Sequence, residues 1–301
     1  MFGESRRSFL ARAAGASLAL PTVLARTSLA IDPIGRTRPS HLKLSLAAYS
    51  YRQLFDGPNP KMDLFDYVSL AADMALDAVE PTSYWLPKDV DDDYLHRLST
   101  HAVLLGLDIS GTAIRNDFCL PTGAGRDADM AHVRAWIDRA AILGAPVIRV
   151  FGGTVPKGES NDVAIARVVE GFREILPYAA SKGIVLALEN HGGITATPEQ
   201  LLGLVRAIDG PNFGVNLDTG NFHGDDPYAD LAKLAPYAVN VQVKTEISRK
   251  GKPKEDADLA RVVSILKESR YSGYVVLEYE AAEDPIKASP GHIKTLRSLI
   301  G

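Results

Sequence analysis

From Leu42 onward the chain alternates short, largely apolar runs with longer stretches of helical period. The runs centre on Leu44–Ala48, Ala78–Pro81, Leu107–Gly111, Val147–Phe151, Val185–Glu189, Gly214–Asp218, Val239–Val243 and Val275–Glu278. Each is short and rich in Val, Ile, Leu or Ala, as suits strands buried on both faces of a parallel sheet. Between them, 62–74 places Leu64, Val68, Leu70 and Ala71 on roughly one face. Asp91–Leu105 opens on three aspartates, which favour a helix N-terminus. Asp127–Leu143 and Asp162–Ser181 are the longest helical stretches, and Thr197-Pro198-Glu199 reads as a cap, a first-turn proline and an acidic residue. Asp256–Ser269 and Pro285–Ile300 close the series. Eight strand–helix units in one continuous stretch predict a single-domain α/β fold, a (β/α)₈ barrel, whose usual size is ~250 residues. An open doubly wound sheet lacks support, because no Gly-x-Gly-x-x-Gly follows a strand.

The N-terminal residues do not share this pattern. Ser5-Arg6-Arg7-Ser8-Phe9-Leu10 is a twin-arginine export pattern, followed by a mildly apolar stretch broken by Arg12, Gly15 and Pro21. Ser28-Leu29-Ala30 supplies small residues for cleavage after Ala30. The expected organisation is therefore an export signal at 1–30, a linker at 31–41 and the barrel at 42–301. Such a chain is expected to meet the twin-arginine export machinery, to reach the periplasm and to carry no stable membrane anchor. The net charge of −4 becomes −7 once the signal, with four arginines against Glu4 alone, is set aside. An acidic protein has no electrostatic reason to seek nucleic acid. Cys119 is the only cysteine, which excludes an internal disulfide and a Cys-based zinc site.

A barrel carries its active site at the C-terminal ends of its strands. Four consecutive runs end in an oxygen donor: Glu189, Asp218, Gln242 and Glu278. Carboxylates in apolar strands are costly unless paired or coordinated. Three of them converging on one mouth predict a divalent cation, and the all-oxygen set favours Mg²⁺ or Mn²⁺. Strand side chains alternate, so His191, Lys244 and Glu280 share a face with Glu189, Gln242 and Glu278, one step nearer the mouth. With Glu80, which ends the second run, and His223, these are the expected substrate-binding residues. Lys244 serves equally well as a rim ion-pair partner of Glu280. Arg149 reads as a buried partner of a carboxylate, Tyr84 and Trp85 as stacking or loop-packing residues, and the basic run at 249–254 as a solvated loop.

Leu186-Ala187-Leu188-Glu189-Asn190-His191, Asn216-Leu217-Asp218-Thr219-Gly220-Asn221-Phe222, Val241-Gln242-Val243-Lys244 and Leu277-Glu278-Tyr279-Glu280 together resemble the xylose-isomerase-like sugar isomerases and epimerases. The resemblance covers Leu42 to Gly301. It implies that Glu189 and Glu278 are metal ligands that also form the acid/base pair, and that Asp218 is a further ligand. The strand-seven ligand is usually histidine, here Gln242. The position three after the strand-six aspartate is Asn221, where many relatives have histidine.

The expected activity is metal-dependent isomerisation or epimerisation of a carbohydrate through an enediolate. One alternative is a lyase or hydratase on a keto-sugar or 3-keto-glycoside. The other is a barrel that binds sugar without catalysis. Oligomeric state is open, with a homo-oligomer among the possibilities.

Overall fold

In the computed structural model the described residues are 32–208 and 210–301; the expected export signal lies outside them. They form a nearly closed parallel barrel wrapped by helices. The strands are β1 (Leu42–Ala47), β2 (Ala78–Glu80), β3 (Asp108–Ile109), β4 (Thr112–Ala113), β5 (Val147–Val150), β6 (Val185–Glu189), β7 (Phe213–Asp218), β8 (Ala238–Val243), β9 (Glu246–Ile247), β10 (Glu255–Asp256) and β11 (Gly273–Leu277). The barrel order is β3-β2-β1-β11-β8-β7-β6-β5-β4, all parallel. All eight expected strands are therefore present. The third is split into β3 and β4, which sit at opposite ends of that order, so the barrel closes across the Ser110–Gly111 step. A Cβ at Gly111 would lie 3.0 Å from the Val147 carbonyl, so the missing side chain permits the approach of β5 there.

The outer ring consists of α1 (Leu64–Asp73), α2 (Asp92–Leu104), α3 (Ala124–Leu143), α4 (Asn161–Ser181), α5 (Pro198–Ile208), α6 (Pro227–Leu234), α7 (Leu259–Glu268) and α8 (Pro285–Ile300). Aspartates fix several N-termini. Asp91 accepts from the Tyr94 amide, and Asp284, just before Pro285, accepts from the Ile286 amide. The strands' outward side chains and the helices' inner faces form one apolar core, including Leu46, Val79, Ile148, Leu188, Val215 and Leu277. Among the described residues no helix is long and apolar enough to cross a membrane.

One helix lies outside the helical stretches read from the sequence. Helix α6 was not foreseen, although Asp226-Pro227 carries its signal: Asp226 accepts from the Tyr228 and Ala229 amides, and Pro227 takes the first turn. The basic run at 249–254 is the turn joining β9 and β10, mostly exposed as a solvated loop would be, with Arg249 paired to Glu255 and Lys254 to Glu246. The segment at 32–41 is mostly exposed, as a linker would be, yet it is tethered. The Ile34 amide donates to Pro236, and Arg36 lies over the Tyr271 ring at 5.3 Å.

Candidate active site

The strand ends hold a cavity of about 1000 Å³ whose lining includes Tyr49, Tyr84, Arg149, Phe151, Glu189, His191, Asn221, Lys244, Glu278 and Glu280. Backbone ties set the heights of these side chains. Asn190, which follows β6, brackets Asp218: its Nδ2 donates to the Asp218 carbonyl and its Oδ1 accepts from the Asp218 amide, both at 2.8 Å. Thr219 then takes the Lys244 amide on its Oγ1 at 2.9 Å. Gly220 is required by packing, because a Cβ there would lie 2.6 Å from Lys244 Cγ. The Asp-Thr-Gly stretch thus builds the groove in which the Lys244 stem runs.

Two buried ion-pair groups follow. Arg149 Nε stands 2.9 Å from Glu189 Oε2, and Asn221 Nδ2 donates to Glu189 Oε1 at 3.0 Å. Arg149 is further held by the Ile114 carbonyl (2.9 Å) and the Tyr84 hydroxyl (3.3 Å), with its guanidinium 4.0 Å over the Phe151 ring. The second group centres on Lys244, whose Nζ is 3.3 Å from Asp218 Oδ2, 3.0 Å from Glu278 Oε2 and 2.7 Å from Glu280 Oε2.

Burial governs the protonation of these groups. It raises Glu189 to about 8; Arg149 pulls the other way, and the neighbouring Asp218 and Glu278 add to the rise. Burial likewise raises Asp218 to about 7 against the pull of Lys244. Burial opposes the Lys244 ammonium, but Asp218, Glu278 and Glu280 outweigh it, so it stays charged. His191, whose ring packs at a tilt against Phe151 with centroids 4.4 Å apart, is held below its ordinary value by burial and by the charges of Arg149 and Lys244, so its ring faces the cavity uncharged near neutral pH.

Beneath the cavity lies a closed ring of hydrogen bonds. Gln242 Nε2 donates to Glu80 Oε1 (2.6 Å), and Asn240 Nδ2 donates to Glu80 Oε2 (2.7 Å) and to Asn216 Oδ1 (2.8 Å). Asn216 Nδ2 completes the circuit at Gln242 Oε1 (2.7 Å). Burial raises Glu80 to about 7, while its amide partners favour the carboxylate.

The structure therefore brings Glu189, His191, Lys244, Glu278 and Glu280 to one cavity wall, and separates three others. Glu80, expected to reach substrate, is fully buried and forms part of the floor. Gln242 is turned downward into the same ring. His223 is exposed and lines a smaller side cavity of about 240 Å³ with Lys244 and Glu280. Trp85 stacks on Phe55 at 4.8 Å and donates to Asp56, which leaves Tyr84 as the cavity residue of that pair. Sequence reasoning overlooked Asn221 as a Glu189 partner, and Tyr49; it placed Arg149 beside a carboxylate but outside the site.

This arrangement also tests the expected Mg²⁺ or Mn²⁺. Asp218 Oδ2 is buried and makes no well-formed hydrogen bond, but the Lys244 ammonium already stands 3.3 Å from it. The other donors are engaged too. Glu189 faces Arg149 and Asn221, the Gln242 oxygen is taken by Asn216, and an ammonium stands between Asp218 and Glu278. Among the described residues no group of three or more His, Cys, Asp or Glu side chains is arranged to hold a metal ion. The four side chains expected as ligands do not fit one as they stand.

The profile of the xylose isomerase-like TIM barrel family matches residues 68–298. The chain belongs to that family. A human protein named "Putative hydroxypyruvate isomerase" is 25% identical over 171 residues, covering 49% of this chain and 58% of that one. The chain thus spans less than two thirds of the length of this curated relative. The D-psicose 3-epimerase of Clostridium cellulolyticum H10, solved with D-tagatose, superposes with a TM-score of 0.71 at 17% identity, over 86% of this chain and 99% of that one. The 3-keto-D-glucoside 4-epimerase of E. coli gives a TM-score of 0.64 at 17% identity, over 86% and 99%. The barrel's structural neighbours thus include sugar epimerases.

Proposed function

We propose that this protein is a sugar isomerase or epimerase that moves a carbon-bound proton next to a carbonyl through Glu189 and Glu278. One observation carries this reading: two buried strand-end carboxylates line the same cavity, each against its own fixed cation. Glu189 is the base. It removes the proton from the carbon beside the substrate carbonyl, and the electron pair moves onto the carbonyl oxygen to give an enediolate. Lys244, charged and facing Glu278, stabilises the oxygen as that charge develops. Return of a proton to the opposite face of the same carbon, drawn from solvent through Glu278, gives the epimer; return at the former carbonyl carbon, with the hydroxyl proton passing between the two oxygens, gives the isomer. His191 and Asn221 offer hydrogen bonds to hydroxyls, and Tyr49 and Tyr84 offer ring faces.

The cavity volume favours a second reading in the same chemistry. It lies at the upper end of the range for small-molecule pockets, roughly 300–1,000 Å³, and so leaves room for a glycoside substituent. A leaving group β to the carbanion would then depart, giving a lyase acting on a keto-glycoside. Incubation of ketoses and 3-keto-glycosides in D₂O, followed by product NMR, separates the two. Deuterium incorporation without bond cleavage supports the first, enone formation the second. Absence of both across the panel leaves a sugar-binding barrel.

Glu189 must be ionised to act as base, and burial raises it to about 8. kcat/KM is therefore expected to rise with pH along a limb centred near 8. A profile already flat between pH 6 and 9 would assign the base elsewhere.

The location of this activity is part of the proposal: residues 1–30 direct export to the periplasm. Fused to a reporter, they are expected to deliver it there, and R6K/R7K to retain it inside. Equal delivery by both fusions would remove the twin-arginine assignment.

A further inference from the structure

We infer that Lys244 is the resident cation of the carboxylate cluster, and that a divalent ion and the Lys244 ammonium are mutually exclusive occupants of it. Three observations carry this. The ammonium lies within 3.3 Å of Asp218, Glu278 and Glu280 at once. This is the position that a cation shared by these carboxylates would take. Its stem is built in rather than incidental, since it lies where any side chain at position 220 would collide. Asp218 Oδ2, wholly buried and without a well-formed hydrogen bond, has the ammonium 3.3 Å away as its counter-charge.

Position explains the exclusion. The ammonium already fills the point that the three carboxylates share, beside the buried Asp218 and Glu278 and the part-exposed Glu280. A divalent ion added beside Lys244 would face a like charge at contact distance. One that replaced it would meet three carboxylates. The remaining donors reinforce this, because Glu189 is neutralised separately by Arg149 and the Gln242 oxygen is occupied by Asn216. Within this barrel, then, a side chain performs the neutralising and oxygen-stabilising work for which the strand-end carboxylates alone would call on an ion. The inference rests on the same site as the proposed function but not on turnover, so it is tested by binding.

The full chain is stripped with a chelator, desalted and titrated with Mn²⁺, with binding followed by calorimetry and by loss of the free-ion EPR signal. Wild type is expected to show no saturable site at micromolar Mn²⁺. Lys244→Met is expected to bind one ion at least about 100-fold tighter than wild type, a lower bound beside the roughly 10³-fold that a single like charge about 4 Å away costs at an effective dielectric constant of about 20. Wild type that binds one Mn²⁺ at micromolar concentration, with Lys244→Met no tighter, overturns the inference. Should Lys244→Met fail to fold, wild type alone decides. Its melting temperature is expected to be the same in chelator and in millimolar Mn²⁺. A rise with Mn²⁺ that chelator reverses counts against Lys244 as the resident cation, whether or not any sugar is turned over.

Discussion

Glu189→Gln is expected to lower solvent exchange at the substrate carbon by about 10²–10⁴-fold, the range that a positioned general base supplies, while the fold is retained. The amide keeps the shape of the side chain. Its oxygen faces Arg149 Nε, and its NH₂ faces Asn221, whose amide turns over to accept. Burial already holds Glu189 well above the ordinary carboxylate range, so a neutral form is more accessible here than for a free carboxyl. The neutral amide resembles that form, and the melting temperature should hold while exchange is lost. Glu278→Gln separates the two carboxylates. If Glu189 is the base and Glu278 the returning acid, this variant loses epimer formation yet still washes the substrate proton into D₂O. Wild-type exchange rates in Glu189→Gln would remove it from the mechanism, and loss of wash-out in Glu278→Gln would reverse the two roles.

Most of what places these residues was written in the pattern of apolar runs. Strands that are buried on both faces admit few polar residues, so a Glu or Asp at the end of such a run stands out. Glu189, Asp218 and Glu278 were found in this way. Heights within the barrel were not legible, because stagger between parallel strands is set by pairing. β11 pairs Val276 with Gln242, so Gln242 lies two residues below Glu278. Lys244, which the sequence left between rim ion pair and charge stabiliser, lies level with the carboxylates instead. Glu80 misled for a related reason. It ends β2, but its inward side chain is met by amides from β8 at a level below the cavity. Arg149 was read correctly as a buried partner of a carboxylate. That the carboxylate is Glu189 depends on β5 lying beside β6, with Arg149 paired to Ala187, two residues before Glu189.

The ring beneath the cavity leads to the second large expected effect, which is on stability. Asn240 offers one atom, Nδ2, to both of its neighbours, Glu80 and Asn216. Asn216 and Gln242 each offer nitrogen to one neighbour and oxygen to the other. A circuit so composed closes only if its fourth member presents the same kind of atom, an acceptor, on both sides, and an ionised carboxylate does so. Glu80→Gln cannot. However the four amides are turned, one contact is left with nitrogen against nitrogen or oxygen against oxygen. The expected cost is about 1–3 kcal/mol, that of one buried polar group without a partner. Glu80→Leu strips Gln242 Nε2 of its acceptor and Asn240 of one of two, for about 1–3 kcal/mol per orphaned group. The near-isosteric Gln variant is the sharper test, because packing alone would leave it neutral. Urea midpoints at pH 8, where the Glu80 carboxylate is ionised, should fall in the order wild type, Glu80→Gln, Glu80→Leu. A wild-type midpoint in Glu80→Gln would show that the circuit does not constrain the floor. Because Asn240, Gln242 and Lys244 alternate along one face of β8, a loosened floor should also relax the hold on Lys244, and with it the placement of positive charge opposite Glu278.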